Sequence, residues 1–179
     1  MQTPGFWIPH HRYSKHHLAQ GFTLVELMVC LGLLSVLVSL ALPSWQRLQE
    51  RRRVEATRDQ LMSDLQAARL RALQLGETLQ LTRLRDCSWG TSAGSDWRCG
   101  WQLVIKADQT MLQTTQLHTP LQVTFAKTDP LDISPRGDLG AIGDRWIIKS
   151  GQGALMIANV VCLSSAGRLR WQLGEACGS

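Results

Sequence analysis

A long apolar run near the N-terminus constrains this chain more than any other feature. The run is GFTLVELMVCLGLLSVLVSLALP, from Gly21 to Pro43. As an α-helix that rises ~1.5 Å per residue, its roughly twenty apolar residues would cross a hydrocarbon layer of about 30 Å. One acid, Glu26, lies near its start. A carboxylate at that depth in lipid is costly and needs a partner, so Glu26 is a candidate functional residue. The alternative is a signal anchor that tolerates one acid.

The residues around Glu26 resemble a known processing site. The pattern G-F-T-L-x-E, followed by an apolar helix, is similar to the N-terminus of type IV pilins and type II secretion pseudopilins. This resemblance implies that a prepilin peptidase cuts after Gly21 and that Phe22 is then methylated. It also implies that Glu26 pairs with the N-terminal amine of a neighbouring subunit. Such a pair is tolerable in lipid, where each charge alone would be expensive.

Residues 1–21 are the leader peptide that this resemblance implies. They include Arg12 and Lys15 and no acid, so their removal leaves 17 basic against 14 acidic residues, a formal net charge of +3. The leader also holds His10, His11, His16 and His17. These histidines could suggest a metal site, but the resemblance implies that this piece is discarded, so no metal site is expected.

Two signals disagree about the orientation of the chain in the membrane. Four arginines, Arg47, Arg51, Arg52 and Arg53, follow the apolar run and outnumber the bases before it. By the positive-inside rule they favour a cytoplasmic C-terminal part. The cleavage motif favours the reverse, and we follow it because it carries more information than a difference of two charges. We therefore expect a single-pass inner-membrane protein with its head in the periplasm, found in a pilus or pseudopilus after assembly.

The helix is expected to continue beyond the membrane. Residues 22–43 form the transmembrane or filament-core part, and residues 44–76 form an amphipathic continuation with Gly76 as its stop. The apolar residues Val54, Leu61, Leu65, Ala68 and Ala72 have the spacing of one helix face. Arg51, Glu55, Arg58 and Arg69 are expected largely on other faces. Pro43 is expected to bend or loosen the junction between the two parts.

Residues 77–179 read as a β-rich globular head. Short runs rich in Val, Ile, Leu, Thr and Trp alternate with turn residues and predict strands. The predicted strands are Thr78–Leu84, Trp101–Lys106, Met111–Leu117, Gln122–Ala126, Arg145–Ile148, Leu155–Leu163 and Arg168–Leu173, with loops at Cys87–Gly100 and Ser134–Gly143. A helix followed by strands predicts an α+β fold of the type IV pilin kind, in which the amphipathic half-helix packs on an antiparallel sheet.

Cysteine usage favours a compartment outside the cytoplasm. Cys30 lies in the apolar run, where a thiol behaves as a small apolar group. The other four cysteines allow three pairings, of which we favour the local one, Cys87 with Cys99 and Cys162 with Cys177. No pair has C-x-x-C spacing, so zinc binding and thioredoxin-like chemistry are not expected. Disulfides in loops of this size fit a periplasmic domain.

The sequence contains no recognisable catalytic constellation. After removal of the leader a single histidine remains, His118, with no acid at metal-ligand or triad spacing. No phosphate-binding G-x-x-x-x-G-K-[ST] motif is present. We therefore expect a protein that is not an enzyme and needs no cofactor. This disfavours a membrane-anchored peptidase or nuclease.

The end of the chain, CLSSAGRLRWQLGEAC, alternates basic and apolar residues. In an extended strand Arg168, Arg170 and Gln172 would project to one face, and Leu169, Trp171 and Leu173 would be buried on the other. Two adjacent guanidinium groups can contact successive phosphates of a nucleic acid. The alternative is a solvated edge strand whose charges prevent aggregation.

The combination of pilin-like helix, β-rich head, P-R-G turn and C-terminal G-R-x-R resembles the FimT/GspH family of minor pilins and pseudopilins. In FimT-type members the G-R-x-R tail is implicated in binding double-stranded DNA during natural transformation, which here implies Gly167, Arg168 and Arg170. Arg136, Arg145 and Lys149 are weaker DNA-binding candidates. The implied partners are other pilins or minor pilins, a prepilin peptidase, the inner membrane and DNA. The alternative is a GspH-type pseudopilin, a structural tip component of a type II secretion system that binds no DNA.

Overall fold

The computed structural model of the chain describes residues 22–118, 121–126, 130–140, 144–150, 156–164 and 167–178. The expected leader, including Gly21, lies outside the described residues. The chain divides into two compact units, Met1–Ala41 and Leu42–Ser179. The second unit contains the whole hydrophobic core.

One helix, α1, runs from Leu24 to Leu75 and contains Pro43. Its first turn is capped by Thr23, whose hydroxyl accepts the backbone N–H of Glu26 at 3.2 Å. The helix ends at Gly76, which has a φ of +68° that glycine adopts without strain. By length and composition, α1 includes a segment that could cross a membrane.

Within the second unit, α1 buries one face, as the spacing of its apolar residues predicts. Val54, Leu61, Leu65, Ala68 and Ala72 are all fully buried. The expectation for Arg58 is wrong, because its side chain is buried as well. Its stem lies along the same face, and its guanidinium group is covered by an aromatic ring described below.

In the part of the chain that the structure describes, ten strands follow the helix, all paired antiparallel. They are β1 Leu79–Arg83, β2 Asp86–Cys87, β3 Gly90–Thr91, β4 Gly100–Ile105, β5 Met111–Gln116, β6 Leu121–Phe125, β7 Leu131–Ile133, β8 Arg145–Ser150, β9 Ala158–Leu163 and β10 Leu169–Leu173. The first sheet has the order β5-β4-β1-β7, and the second has the order β10-β9-β8-β6. Strands β2 and β3 form a separate hairpin.

The predicted α+β class is confirmed, and all seven predicted strands occur. Three short strands, β2, β3 and β7, were not predicted. Strands β2 and β3 have only two residues each; β3 lies inside the segment predicted as a loop, and β2 begins one residue before it. Strand β9 begins at Ala158, later than predicted, and Leu155 lies outside the described residues.

The core joins the helix to both sheets. Trp97, Phe125 and Trp146 form an aromatic group, with Phe125 stacked on Trp146 at 4.1 Å between ring centroids. Cys87 is bonded to Cys99, and Cys162 to Cys177. These are the local pairs that the sequence favours.

A buried carboxylate attaches α1 to the first sheet. Asp64 accepts hydrogen bonds at 2.8 Å from the indole N–H of Trp101 and the hydroxyl of Thr115. Its other oxygen accepts the side-chain amides of Gln60 at 3.0 Å and Gln113 at 2.8 Å. Four donors compensate the desolvation of this acid and fix the register between helix and sheet.

Candidate nucleic-acid interface

The Gly167-Arg168-x-Arg170 segment forms the end of the β9–β10 turn and the start of β10. Ser164 closes the turn: its backbone N–H donates to the carbonyl of Arg168 at 3.0 Å, and its hydroxyl accepts the N–H of Arg168, also at 3.0 Å. Gly167 has a φ of +73°, a conformation that a residue with a side chain would adopt only with strain. Arg168 therefore lies in the turn, one residue before the strand in which it was predicted.

Arg69 of α1 holds this turn from beneath. Its guanidinium group donates a hydrogen bond to the carbonyl of Gly167. Burial lowers the pKa of Arg69 from its ordinary value, while the nearby Asp138 carboxylate acts in the opposite direction. This role of Arg69 could not be predicted, because nothing in the local sequence pattern connects residue 69 with residue 167.

The Pro135-Arg136-Gly137 turn meets the same part of the helix. A Cβ built on Gly137 would lie 3.7 Å from the Cβ of Arg69 and 3.6 Å from a methyl carbon of Leu73. Both motif turns thus pack against one turn of α1. Arg136 is exposed on its turn, and its Nε lies 3.7 Å from the carboxylate of Asp138.

Strand register places further basic residues on one face of the second sheet. Cys162 of β9 is paired with Arg145 of β8 on one side and with Arg170 of β10 on the other. Side chains of directly paired residues share a face, and strands lie about 4.8 Å apart, so the Cα atoms of Arg145 and Arg170 are about 10 Å apart. Lys149 is on the same face of β8, four residues from Arg145. We call this side of the second sheet, marked by Arg145, Lys149, Cys162 and Arg170, the outer face.

The opposite side of the sheet faces the core. Trp146, Ile148 and Val161 alternate with the outer-face residues and belong to the hydrophobic core. This alternation confirms that Arg145 and Lys149 point away from the helix. Arg168 and Arg170 are exposed as well.

The prediction that Leu169, Trp171 and Leu173 form a buried stripe is wrong for two of the three residues. Trp171 is 46% exposed and Leu173 is 67% exposed. Strand β10 is at the edge of its sheet, so only its first residue, Leu169, packs against the core. Trp171 instead covers Arg58, whose guanidinium carbon is 3.8 Å from the centre of the ring.

Lys149 is engaged by an acid from the end of the chain. Its ammonium lies 2.8 Å from a carboxylate oxygen of Glu175, the acid that follows β10. The weaker candidates differ in exposure: Arg145 and Arg136 are exposed, while Lys149 is half-buried. Each has an acid close by, which is Asp144 for Arg145, Asp138 for Arg136 and Glu175 for Lys149.

At the other end of the described chain, Phe22 is 81% exposed, and Glu26 is exposed in the first turn of α1. Thr23 and Glu26 have the spacing of a capping box, and an acid at this place also complements the positive end of the helix dipole. The capping hydrogen bond uses the backbone N–H of Glu26 and leaves its side chain exposed.

His118 lines an open cleft between α1 and β5, with a volume of about 320 Å³. Arg53, Gln60 and Thr115 are among the other residues that line it. The described residues of this cleft include no carboxylate, serine or cysteine that could act with a histidine in hydrolysis. Among the described residues no cluster of three or more His, Cys, Asp and Glu side chains could hold a metal ion.

Comparison with known proteins finds one similarity at the N-terminus and one in the fold. The family described as the prokaryotic N-terminal methylation motif matches residues 17–42. Among solved structures, the type IV minor pilin FimU of Pseudomonas aeruginosa strain PAO1 is similar in two crystal forms. One has a TM-score of 0.57 at 18% identity and covers 72% of this chain and 98% of its own. The other has a TM-score of 0.53 at 19% identity and covers 69% and 99%.

At this level of identity, the likeness to FimU shows the fold. A comparison with curated proteins gives no match. The N-terminal motif and the fold come from independent comparisons and agree with each other.

Proposed function

We propose that this chain, which carries the N-terminal motif of prepilins and has the fold of a type IV minor pilin, is a minor pilin of a type IV pilus. A prepilin peptidase removes residues 1–21, and Phe22 becomes the methylated N-terminus. Residues 22–43 hold the chain in the inner membrane, with its head in the periplasm, until it joins other pilins. Glu26 then pairs with the terminal amine of a neighbour. In an apolar environment, this pairing lowers the free-energy cost that each charge would have alone.

The head of this minor pilin binds extracellular double-stranded DNA for uptake in natural transformation. The observation that best supports this proposal is the register that puts Arg145 and Arg170 on either side of Cys162 on one exposed face. Arg168 projects from the adjoining turn, which Arg69 fixes through the carbonyl of Gly167. Arginine on a fixed strand or turn is well suited to phosphate contact, because its planar group can donate two parallel hydrogen bonds.

Such contacts give affinity without sequence preference. Phosphate oxygens are the same along any duplex, so they position a protein but carry no sequence information. Each neutralised phosphate releases condensed counterions, and binding weakens steeply with added salt. Arg168 and Arg170 dominate, and Arg145, Lys149 and Arg136 contribute less.

The test is salt-dependent binding of a fluorescent DNA duplex by residues 51–179, which contain the entire hydrophobic core and both disulfides. We expect binding that is lost as salt rises from about 50 to 200 mM. Replacing both Arg168 and Arg170 by Ala should abolish the gel shift and leave the circular dichroism spectrum unchanged.

A matched control removes the same charge elsewhere. Arg85 and Arg98 are both exposed, and each lies one or two residues before a cysteine of the Cys87–Cys99 disulfide. Their double replacement by Ala should reduce binding much less than loss of Arg168 and Arg170. Equal losses in the two double variants, or undiminished binding without Arg168 and Arg170, would contradict the proposed interface.

A second function is favoured by a different observation. Trp171, Leu173 and Met156 expose large apolar side chains, at 46%, 67% and 61%. Exposed aromatic and Met side chains are common at protein contacts. A GspH-type pseudopilin of a type II secretion system, which contacts sibling subunits at a filament tip, would use such residues and bind no DNA. The binding test above separates the two functions.

A further inference from the structure

The last residues of the chain are fastened across the outer face of the second sheet. Gly174, which follows β10, donates its backbone N–H to the carbonyl of Ala158 on β9 at 2.8 Å. The disulfide of Cys177 with Cys162 ties the chain to the centre of the same face. The N–H of Gly178 donates to the side-chain carbonyl of Gln172 at 2.9 Å. We call residues 174–178 the tail.

The tail brings an acid to the basic residues of that face. Glu175 lies between the two fastened points of the tail, and its carboxylate is 2.8 Å from the ammonium of Lys149. The Lys149 side chain is only 21% exposed, while that of Glu175 is 48% exposed. The acid is therefore the accessible member of the pair, and the base lies beneath it.

We propose that the tail is a built-in competitor of DNA: Glu175 occupies Lys149 in the free protein, and a DNA phosphate must displace it to reach that base. This inference rests on the proposed function and adds a means of limiting its affinity. Without Glu175, a phosphate could contact Lys149 directly. With Glu175 present, the phosphate must first displace the carboxylate from the same ammonium.

The physical reason is proximity. The disulfide and the Gly178 hydrogen bond keep Glu175 close to Lys149, so its effective concentration there is high although the single ion pair is weak. A carboxylate without this attachment would be largely hydrated and screened by salt. The affinity of the face for DNA is consequently lower than its count of basic residues indicates.

Glu175→Gln in residues 51–179 tests the inference, with binding of the same fluorescent duplex as the readout. The change removes the competing charge and leaves the shape of the side chain nearly unaltered. We expect affinity for DNA to rise roughly two- to fivefold. The slope of log affinity against log salt should steepen by up to about one unit, because in the unaltered protein the displaced carboxylate attracts a cation when DNA binds and an amide does not.

The control is Glu77→Gln, an equal charge change at an exposed acid just after α1. It should leave affinity and salt slope close to those of the unaltered protein. A second comparison makes the same Glu175→Gln change in a Lys149→Ala protein, where it should give no gain. That comparison separates release of Lys149 from simple removal of a repelling charge.

The possible outcomes are distinct. If unaltered protein binds DNA and Glu175→Gln behaves as Glu77→Gln does, the inference is overturned while the proposed function stands. A gain that persists without Lys149 also overturns it, because Glu175 then acts only by repulsion. If neither unaltered protein nor Glu175→Gln binds DNA, the proposed function fails and the inference with it.

Discussion

Arg69 joins the helix to the turn that carries Gly167 and Arg168, and it is the single residue on which the geometry of the candidate interface most depends. Its guanidinium group remains charged despite burial, since arginine stays protonated at any physiological pH. A charged donor to a carbonyl contributes more than a neutral one. The turn is therefore held by one strong contact from a neighbouring element.

Arg69→Met tests that role, because methionine keeps an apolar stem of similar length and removes the donor. We expect the free energy of unfolding to fall by about 1.5–3 kcal/mol, and DNA affinity to fall because the turn that presents Arg168 is less fixed. Urea denaturation and duplex binding of residues 51–179 give the two values.

Arg71→Met is the matched control for Arg69→Met. Arg71 donates to the side chain of Gln113 on β5, in the other sheet, at 2.8 Å. Its loss should reduce stability but spare DNA binding. If the two variants weakened DNA binding equally, the specific role of Arg69 would be lost.

For single residues, the sequence predicted which side chains of one strand share a face. It did not predict which residues of the neighbouring strands lie beside them. The alternation of Arg170 with Trp171 could be read from adjacent letters. The pairing of Arg145 and Arg170 across Cys162 could not, because register joins strands that are far apart in sequence. The ion pair of Lys149 with Glu175 was missed for the same reason.

Helix α1 has two parts that differ in composition and in what surrounds them. Its first part is apolar on all sides, as expected for lipid or for a filament interior. Its second part buries one face in the head and depends on the Asp64 cluster for attachment to the first sheet. That attachment fixes the helix turn from which Arg69 reaches Gly167.

Asp64→Ala should therefore destabilise the head severely. The change leaves the buried indole N–H of Trp101 without its acceptor. The half-buried hydroxyl of Thr115 and the side-chain amides of Gln60 and Gln113 lose theirs as well. We expect a loss of at least ~3 kcal/mol in the free energy of unfolding, measured by denaturant titration of residues 51–179. Glu55→Ala, which removes an acid paired with Arg51 on the exposed side of α1, should cost below ~1 kcal/mol. Similar losses for both variants would refute the importance of the buried cluster.

Sequence periodicity identified the elements that are long enough to show it. The buried face of α1 extends over several turns, so spacing alone revealed Val54, Leu61 and Leu65. Strand β7 has three residues, Leu131–Ile133, which is too short for alternation to be recognised. Arg58 lies four residues after Val54 and three before Leu61, so the same spacing places it on the buried face, and only its charge argued against burial. Trp171, which covers its guanidinium group, comes from a distant part of the sequence.

For the whole molecule, the proposed function requires that the subunit leave the membrane. The matched motif covers residues 17–42, and the likeness to FimU covers 72% of the chain in the better superposition. A DNA-binding head is useful for uptake only if the chain is cut, methylated and assembled with other pilins. The proposed role of Arg168, Arg170 and Glu175 in DNA uptake by the cell thus depends on processing at Gly21.

Mass spectrometry of the N-terminus tests that dependence most directly, with full-length chain recovered from cells that have an active prepilin peptidase. We predict that the recovered protein begins at an N-methylated Phe22, and that a peptidase-deficient strain yields the chain from Met1. Recovery of the intact precursor, beginning at Met1, from cells with the active enzyme would contradict the account.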